Sequence, residues 1–497
     1  MKKVLSVISA LAILASFTAC GDNTSDQKDD QSNKTTTAAK DDADATTEAK
    51  DDGGDKGDGK KEIINVWSFT NEVPGMVQKF CSLNPDFDAK YQIEITNIPT
   101  TNNEYTPALD KALMAGGKDA PDLYCAEAAF VLRYTQGEMA KYATPYKDLG
   151  LDVDSKIAEA KIADYAVKIG TNPSGDVVGL GYQATGGAYI YRRSIAKKVF
   201  GSDEQSVVEE KIGAGSNSWD KFLETAKELK AQNCAILSGD GDLWHAVENS
   251  SDQGWIVDDK LHIDPKREIF MDLSKTMKDE GYINCTTDWT DSWFADMRSE
   301  GEKDVLGYFG PAWLISYTLS ENCGSWDETD EKDADGNVIK KLNTEKGTWG
   351  DWAVCKPPVG FFWGGTWLLC NTNSTKKDAV AQIIDWVTLD CSKDGLQYMW
   401  ANGTYNPEKP VKDCVASETV INMSDGKMDF LGGQDMLPVF LAGNKFANGA
   451  NLTPYDQEIN KAWRDQVTQY AEGNKSKEEA IKAFKTTVEE TLDFEAE

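Results

Sequence analysis

The sequence predicts an α/β fold divided into two lobes, and two observations carry that expectation. From residue 61 onward, apolar runs of period two alternate with amphipathic runs of period 3.6, the pattern of strands covered by helices. Residues 61–497 are also too many for one hydrophobic core, which stops growing at roughly 250–300 residues, so two units of about 200 residues are expected.

The N-terminus is set aside first. Lys2 and Lys3 precede an apolar run from Val4 to Phe17, shorter than a membrane-spanning helix requires. Thr18 and Ala19 then precede Cys20 and Gly21. That arrangement resembles a bacterial lipoprotein signal, cut before a cysteine that takes the lipid, although Phe17 stands where leucine is usual. A signal peptide over 1–19 and lipidation of Cys20 are therefore expected. After Cys20, residues 21–60 contain no aromatic residue and no Val, Ile, Leu or Met, so no buried surface can offset their ordering entropy. A disordered acidic tether over 20–60 is expected. Its “GDKGDGK” at 54–60 misses a phosphate loop, because Lys61 stands where Ser or Thr is required and no strand or helix flanks it.

The elements follow in order. “EIINVWSF” (62–69) reads as a strand and “NEVPGMVQKFCSLN” (71–84) as a helix. “YQIEITNIP” (91–99) alternates as a strand does, and “PALDKALMAGG” (107–117) is a helix closing on glycine. “PDLYCAEAAF” (121–130) runs from strand into helix. Such repeats imply a parallel sheet whose ligands gather at the carboxyl ends of its strands. “DVVGLGYQATGGAYIYRRSIAKKVFG” (176–201) then reads as strand, Gly-rich bend, strand and basic helix. Ser218 is placed to cap the next helix, with Phe222, Ala226 and Leu229 on one face and Trp219 structural at its start. “GWIVDDKLHID” (254–264) reads as a hairpin turning at Asp258-Asp259, and 324–348 as a polar surface hairpin. Asp333-x-Asp335 in that hairpin departs from a calcium loop, since Gly336 comes too early. Thr375 with Asp378 predicts a capping box ahead of Val380, Ile383, Ile384 and Val387. Two amphipathic helices close the chain, the second opening on a Ser476/Glu479 capping box.

Composition removes several function classes. The formal net charge of −31 excludes the basic footprint that nucleic-acid binding needs, and favours solubility outside the cell. With only His245 and His262, no G-x-S-x-G and no H-E-x-x-H, neither a nucleophilic triad nor a catalytic zinc is expected. Nine scattered cysteines follow Cys20, with no C-x-x-C and no metal-ligand spacing. “APDLYCAE” and “TWLLCNT” place two of them in apolar runs, where a free thiol packs as a small core residue. Cys285 and Cys323 are left as candidates for a disulfide. No metal and no organic cofactor is called for.

The order of segments resembles the extracellular solute-binding proteins of carbohydrate ABC importers, the group that includes maltose-binding protein, over nearly all of 61–497. “VWSFTNE” looks like the family's first strand, and “APDLYCAEAAFVLRYTQGEMAKYATPYKDLG” like its Pro-Asp strand and following helix. “GLGYQATGGAYIYRRSIAKKVFG” is similar to the crossing into the second lobe. “LGYFGPAWL” resembles the return crossing, “FFWGGTWLLCNTNSTKKDAVAQIIDWV” the last crossing, and “FLGGQDMLPVF” the stretch before the terminal helices. The resemblance implies a type II periplasmic-binding-protein-like fold: 61–182 with 311–364 as lobe one, and 183–310 with 365–497 as lobe two. It also implies a monomer that holds a sugar between its lobes and hands it to permease subunits, touching the membrane only through its lipid.

On that reading those of the chain's fifteen tryptophans that fall at or beside the predicted crossings concern the site, because a pyranose packs its C–H face on an indole and needs polar partners around its rim. Trp313 is implied as a stacking residue. Trp363 and Trp367 have even spacing, which puts both on one face of a strand, where each either stacks on sugar or packs in the core. Trp67 ends the first strand; Asn71 and Glu72 beyond it either bond hydroxyls or cap the next helix. Tyr124 and Glu127 stand at a strand's carboxyl end, and Tyr182 and Gln183 at the first crossing. Trp293, beside Asp291, with Trp244 and Trp255, would lengthen the groove. Gln434 and Asp435 are turn-like candidates. Two rivals stand beside an importer's receptor. A lipid-anchored glycan adhesin has no use for hinge crossings. A glycoside hydrolase needs two carboxylates across the bond, and Glu72 with Glu127 or Asp288 with Asp291 are the pairs available on paper.

Overall fold

The computed structural model describes residues 61–497 except 101–102, 333–337, 408–409, 493 and 497. The expected signal peptide, Cys20 and the tether lie outside the described residues, as does the Asp333–Gly336 turn. The strands of the two main sheets are β1 (Glu62–Ser68), β2 (Tyr91–Asn97), β3 (Leu123–Glu127), β4 (Gly179–Gly181), β5 (Ala188–Arg192), β6 (Gly307–Gly310), β7 (Trp352–Cys355) and β8 (Thr366–Cys370).

The first sheet has the order β2-β1-β3-β8-β4. β1 runs parallel to β2 and β3, which requires helical crossovers. The first of these, α1 (Glu72–Leu83), lays Val73, Met76, Val77 and Phe80 into the core. β8 is antiparallel to both β3 and β4. The second sheet has the order β6-β5-β7, all antiparallel. Two hydrophobic clusters accompany the sheets, one around β1, β3 and β8 and the other around Tyr189, Phe222, Trp255 and Trp463. The chain is thus a two-lobed α/β protein, with residues 62–497 forming a single compact unit.

The crossings hold the lobes together. Thr185–Gly187 pairs antiparallel with Phe361–Trp363, through Gly187 N–H to Phe361 O at 2.9 Å and Trp363 N–H to Thr185 O at 3.1 Å. The helix Leu437–Phe446 locks onto this pair, with Asn444 Oδ1 accepting from Gly186 N–H at 2.9 Å.

The partition differs from the expected one. β7 lies in the second sheet and β8 in the first, so the stretch 356–365 carries the chain from lobe two back to lobe one. The helices Lys377–Ile384 and Leu437–Phe446 then pack in the first core, whereas Asp456–Ala471 and Lys477–Leu492 return to the second. A glycine-rich crossing reads the same in either direction; strand pairing decides which way it runs.

Smaller expectations also meet the structure. Asp258 (φ 51°) and Asp259 (φ 61°) take the positive φ values of a two-residue hairpin turn. Ser476 and Glu479 bond reciprocally, 2.8 Å from Ser476 N–H to Glu479 Oε2 and 3.2 Å from Glu479 N–H to Ser476 Oγ. Thr375 does not cap its helix: Ser374 Oγ takes the Lys376 N–H at 3.0 Å and itself donates to Asp122 at 2.6 Å. Cys285 is exposed and Cys323 is buried, and none of the nine described cysteines is joined in a disulfide, so the candidate bridge is not formed.

Candidate functional site

A cleft of about 460 Å³ opens between the lobes. β3 contributes Glu127 at its carboxyl end, followed by Ala128 and Ala129. Helix α2 (Asp240–Glu248) contributes Trp244, His245 and Glu248, the last two being three residues apart and therefore on one face. The last crossing contributes Trp363 and Gly364. With α3 (Ala312–Leu314), which runs on into a wider turn over Ile315–Leu319, and α4 (Asp456–Ala471), the surroundings are complete. α4 lays Asp456, Asn460 and Arg464 along the cleft at intervals of four.

Gly364 (φ 75°) and Gly365 (φ 112°) explain the glycine pair between two tryptophans. Both adopt backbone that side-chain-bearing residues avoid, and they end the crossing strand before β8 begins at Thr366. The bend sends Trp363 and Trp367 different ways. Trp363 lines the cleft, whereas Trp367 is buried in lobe one and donates Nε1–H to Ala166 O at 3.0 Å. The single shared face expected from their spacing does not exist.

An aromatic cluster adjoins the cleft. The His245 ring stacks on Trp363 with centroids 3.5 Å apart and 11° between planes, so one face of Trp363 is already covered. Trp313 meets Trp363 edge-on at 4.6 Å and donates Nε1–H to the Trp363 carbonyl at 3.1 Å. Trp289 lies parallel to Trp313 at 6.3 Å and edge-on to Trp363 at 6.1 Å. Trp289 also holds φ 66°, a rare conformation for a bulky residue and one that clusters at ligand sites.

The cleft is electrostatically mixed. Burial pushes Glu127 up to about 7 even though its Oε2 accepts from Ala129 N–H at 2.8 Å. Glu248 also rises to about 7, from burial and then from the charge of Asp456, while Asn460 Nδ2–H donates to it at 2.5 Å. Burial lifts Asp456 to about 6 against the pull of Arg267. His245 is kept below its ordinary value by burial, against the opposing pull of Asp288 3.2 Å from its Nε2. Its Nε2–H therefore donates to Asp288, and its Nδ1 is a buried acceptor without a partner. Burial alone would raise Asp288, but the His245 hydrogen bond and then Arg464, 3.6 Å away, hold it below the usual carboxylate range. Among the described residues no cluster of three or more His, Cys, Asp or Glu is placed to hold a metal ion, and no helix is long and apolar enough to cross a membrane.

The raised carboxyls imply a pH dependence. Between about 4.5 and 7 the folded protein keeps protons on Glu127 and Glu248 that the unfolded chain has lost. Asp413 (about 7) and Asp242 (about 8), both raised first by burial, act in the same sense. Stability therefore falls as pH rises through this window. Tm is expected to be about 2–5 °C higher at pH 6 than at pH 8, with the Glu127→Gln/Glu248→Gln double variant showing a shallower slope. A slope as steep in the variant as in the parent would refute the assignment.

Of the residues singled out in the sequence, Glu127, Trp313 and Trp363 are brought together here, and Trp244 joins them on the cleft wall. The others lie elsewhere, apart from Trp293, which packs behind Trp289 at 5.3 Å. Trp67 stands half-buried at the end of β1, paired in register with Tyr124. Tyr124 is fully buried against Tyr134, and Trp293 is buried with Nε1–H on Asp242 at 2.8 Å. Trp255 is a core residue of lobe two, under Arg267 at 4.5 Å. Asn71 occupies the position before α1 without capping it, and accepts from Asn97 at 2.6 Å. Glu72 accepts from the Tyr182 hydroxyl, and Gln183 donates to Asp413 at 2.6 Å. Gln434 forks onto β7, taking Val354 N–H at 2.8 Å and giving to Val354 O at 2.9 Å. Asp435 accepts from Leu437 N–H at 3.0 Å to start a helix. These side chains are engaged in building the lobes, for which exposed-looking polar positions in a sequence are no guide.

Sequence reasoning missed Trp289, the stacking role of His245 and the whole α4 face. A large aromatic in the otherwise polar stretch “TTDWTDS” was the one signal for Trp289.

The sequence model of one family, described as bacterial extracellular solute-binding protein, matches residues 83–423. No curated protein matches the chain. Solved structures of similar fold include an extracellular solute-binding protein of family 1, at 18% identity over 85% of this chain and 98% of that one, with TM-score 0.64. The galacto-N-biose-/lacto-N-biose I-binding protein of an ABC transporter from Bifidobacterium longum, in complex with lacto-N-biose, shares 16% identity over 89% and 100%, with TM-score 0.62. The sugar-binding protein MalE from Xanthomonas citri shares 14% over 87% and 97%, with TM-score 0.61.

Proposed function

Because this chain belongs to the bacterial extracellular solute-binding proteins, we propose that it captures a carbohydrate, an oligosaccharide, between its lobes and delivers it to the permease of an ABC importer. The observation that carries this reading is the aromatic cluster of Trp289, Trp313 and Trp363 bordering a polar, charge-lined cleft whose walls come from both lobes. Half apolar and half hydrogen-bonding, such a surface suits a sugar's C–H face and hydroxyl rim. A ligand touching Glu127 on one lobe and Glu248, Asn460 or Arg464 on the other binds the closed arrangement better and shifts the population toward it. Cys20 would carry the lipid, the tether would let the domain reach the permease, and the protein would act as a monomer. It would not be an enzyme.

Hydrolysis is the second reading, favoured by one observation. Glu127 and Glu248, each raised to about 7, face one cleft from opposite lobes. Calorimetric titration of residues 61–497 with α- and β-linked oligosaccharides, followed by product analysis, separates the two. Binding at micromolar or tighter Kd with the sugar recovered intact is expected, with a smaller radius of gyration in solution scattering at saturation. Cleaved sugar would make Glu127 and Glu248 the acid–base pair of a hydrolase, and an unchanged radius would refute closure.

A further inference from the structure

The charges of the cleft do not balance. Its walls carry the carboxyl groups of Glu127, Glu248, Asp456 and Asp465 against the cations Lys461 and Arg464. Both cations are already engaged. Lys461 meets Asp465 at 2.9 Å, and Arg464 lies 3.6 Å from Asp288. Arg267, buried nearby, donates to the carbonyls of Glu248, Gln253 and Asn451 at 3.2, 3.1 and 3.0 Å. Asp456 is closed onto Thr453, whose N–H and hydroxyl it accepts.

Glu127 on lobe one and Glu248 on lobe two are thereby left without an ion-pair partner among the described residues. The hydrogen bonds they accept, from Ala129 N–H and Asn460 Nδ2–H, come from neutral donors. The two are near enough for the charge of Glu127 to add to the rise of Glu248, which Arg464 and Arg267 oppose less strongly than burial promotes it. Like charges withdrawn from water in this way either hold protons or take a cation from outside.

Two further observations point to such a cation. His245 lines the same cleft, is 6% exposed, and keeps Nδ1 as an acceptor without a partner while Nε2–H is taken by Asp288. An ammonium group has three donors and no acceptor, and so matches a wall of unfilled acceptors better than a hydroxyl does. Gly364 leaves room for it. The point that a Cβ would occupy there lies 3.6 Å from Glu127 Oε1 and 3.4 Å from Trp313 Nε1, so carboxyl group and indole border one space. The indole faces of the cluster add attraction for a cation.

We propose that the sugar taken by this cleft is an amino sugar with its amine unacylated and protonated, held between Glu127 and Trp313 with Glu248 facing it from the other lobe. This rests on the sugar-binding reading above, and the test separates the two.

Calorimetry at pH 7 compares saccharides that differ in one substituent. β-1,4-linked glucosamine oligosaccharides are set against their N-acetylated forms and β-1,4-glucan oligosaccharides, and α-1,4-linked galactosamine oligosaccharides against α-1,4-galactan oligosaccharides. In at least one series the amine is expected to bind about tenfold or more tighter than its neutral counterparts. Glu127→Gln and Glu248→Gln keep the shape and remove the charge, and in either of them the ratio should fall to about twofold. Amine and neutral members binding the parent equally, or a ratio that survives in both variants, would overturn the amine assignment and leave the sugar-binding reading intact. Failure of the parent to bind any of these saccharides, or the neutral panel above, would overturn both.

Discussion

Trp363→Ala is expected to reduce oligosaccharide affinity at least 30-fold, about 2 kcal/mol, with little change in the folded content seen by circular dichroism. Trp363 is where the cleft and the aromatic cluster meet. Its ring is stacked on His245 at 3.5 Å and abutted by Trp313 at 4.6 Å. Truncation therefore removes one apolar wall and frees two neighbours to reorient, so the loss should exceed that of a single contact. Trp367 supplies the control. It is four residues away, equally aromatic and fully packed in lobe one. Trp367→Phe should lower the denaturation midpoint through the lost hydrogen bond to Ala166, and leave affinity within about twofold. Titration of both variants with the best-bound member of the oligosaccharide panel decides the matter. Equal losses of affinity would mean that Trp363 acts only through the fold.

Gly186→Ala is expected to destabilise the protein by about 3 kcal/mol, a large effect for a single added methyl group. A Cβ at this position would lie within 2.5 Å of Asn444 N, Asn444 Oδ1 and Gly443 C. Those are backbone atoms and the acceptor of the Gly186 N–H, so no side chain can swing aside. The crossing and the helix Leu437–Phe446 would have to separate, with loss of a buried hydrogen bond. Gly433→Ala separates close approach from backbone strain. Gly433 has φ 84° and nothing within 4 Å of its would-be Cβ, so only the conformational penalty of about 1 kcal/mol applies. Guanidinium titration should show a lower midpoint for Gly186→Ala at unchanged slope. A shift of less than about 0.5 kcal/mol would mean that the crossing yields freely.

Several features of the fold were legible in local sequence because their causes are local. Asp258-Asp259 turns a hairpin through positive φ at both residues, and Ser476/Glu479 caps a helix by two bonds three residues apart. The buried faces of α1 and of Lys377–Ile384 follow from period 3.6. Thr375 failed as a cap because Ser374, one residue earlier, was also within reach of the helix start, and its bond to Asp122 on a distant segment decided between them. The site was less legible. Trp293 and Trp367 carry the same indole as Trp313 and Trp363, and Tyr124 is aromatic like them; what separates them is which side of a sheet or bend they occupy. His245 and the face of α4 reach the cleft by packing across hundreds of residues.

By itself, then, the sequence determined the α/β class, the need for two cores, the order of elements and the aromatic supply at the crossings. All of these follow from periodicity, length and turn chemistry within a few residues. Only the tertiary structure decided that β8 joins the first sheet, that Gly364 and Gly365 point Trp363 and Trp367 apart, and that Trp289, His245 and α4 complete the cleft. Pattern reports which face of an element is apolar; which other element that face meets depends on long-range burial and strand pairing, and no local pattern encodes it.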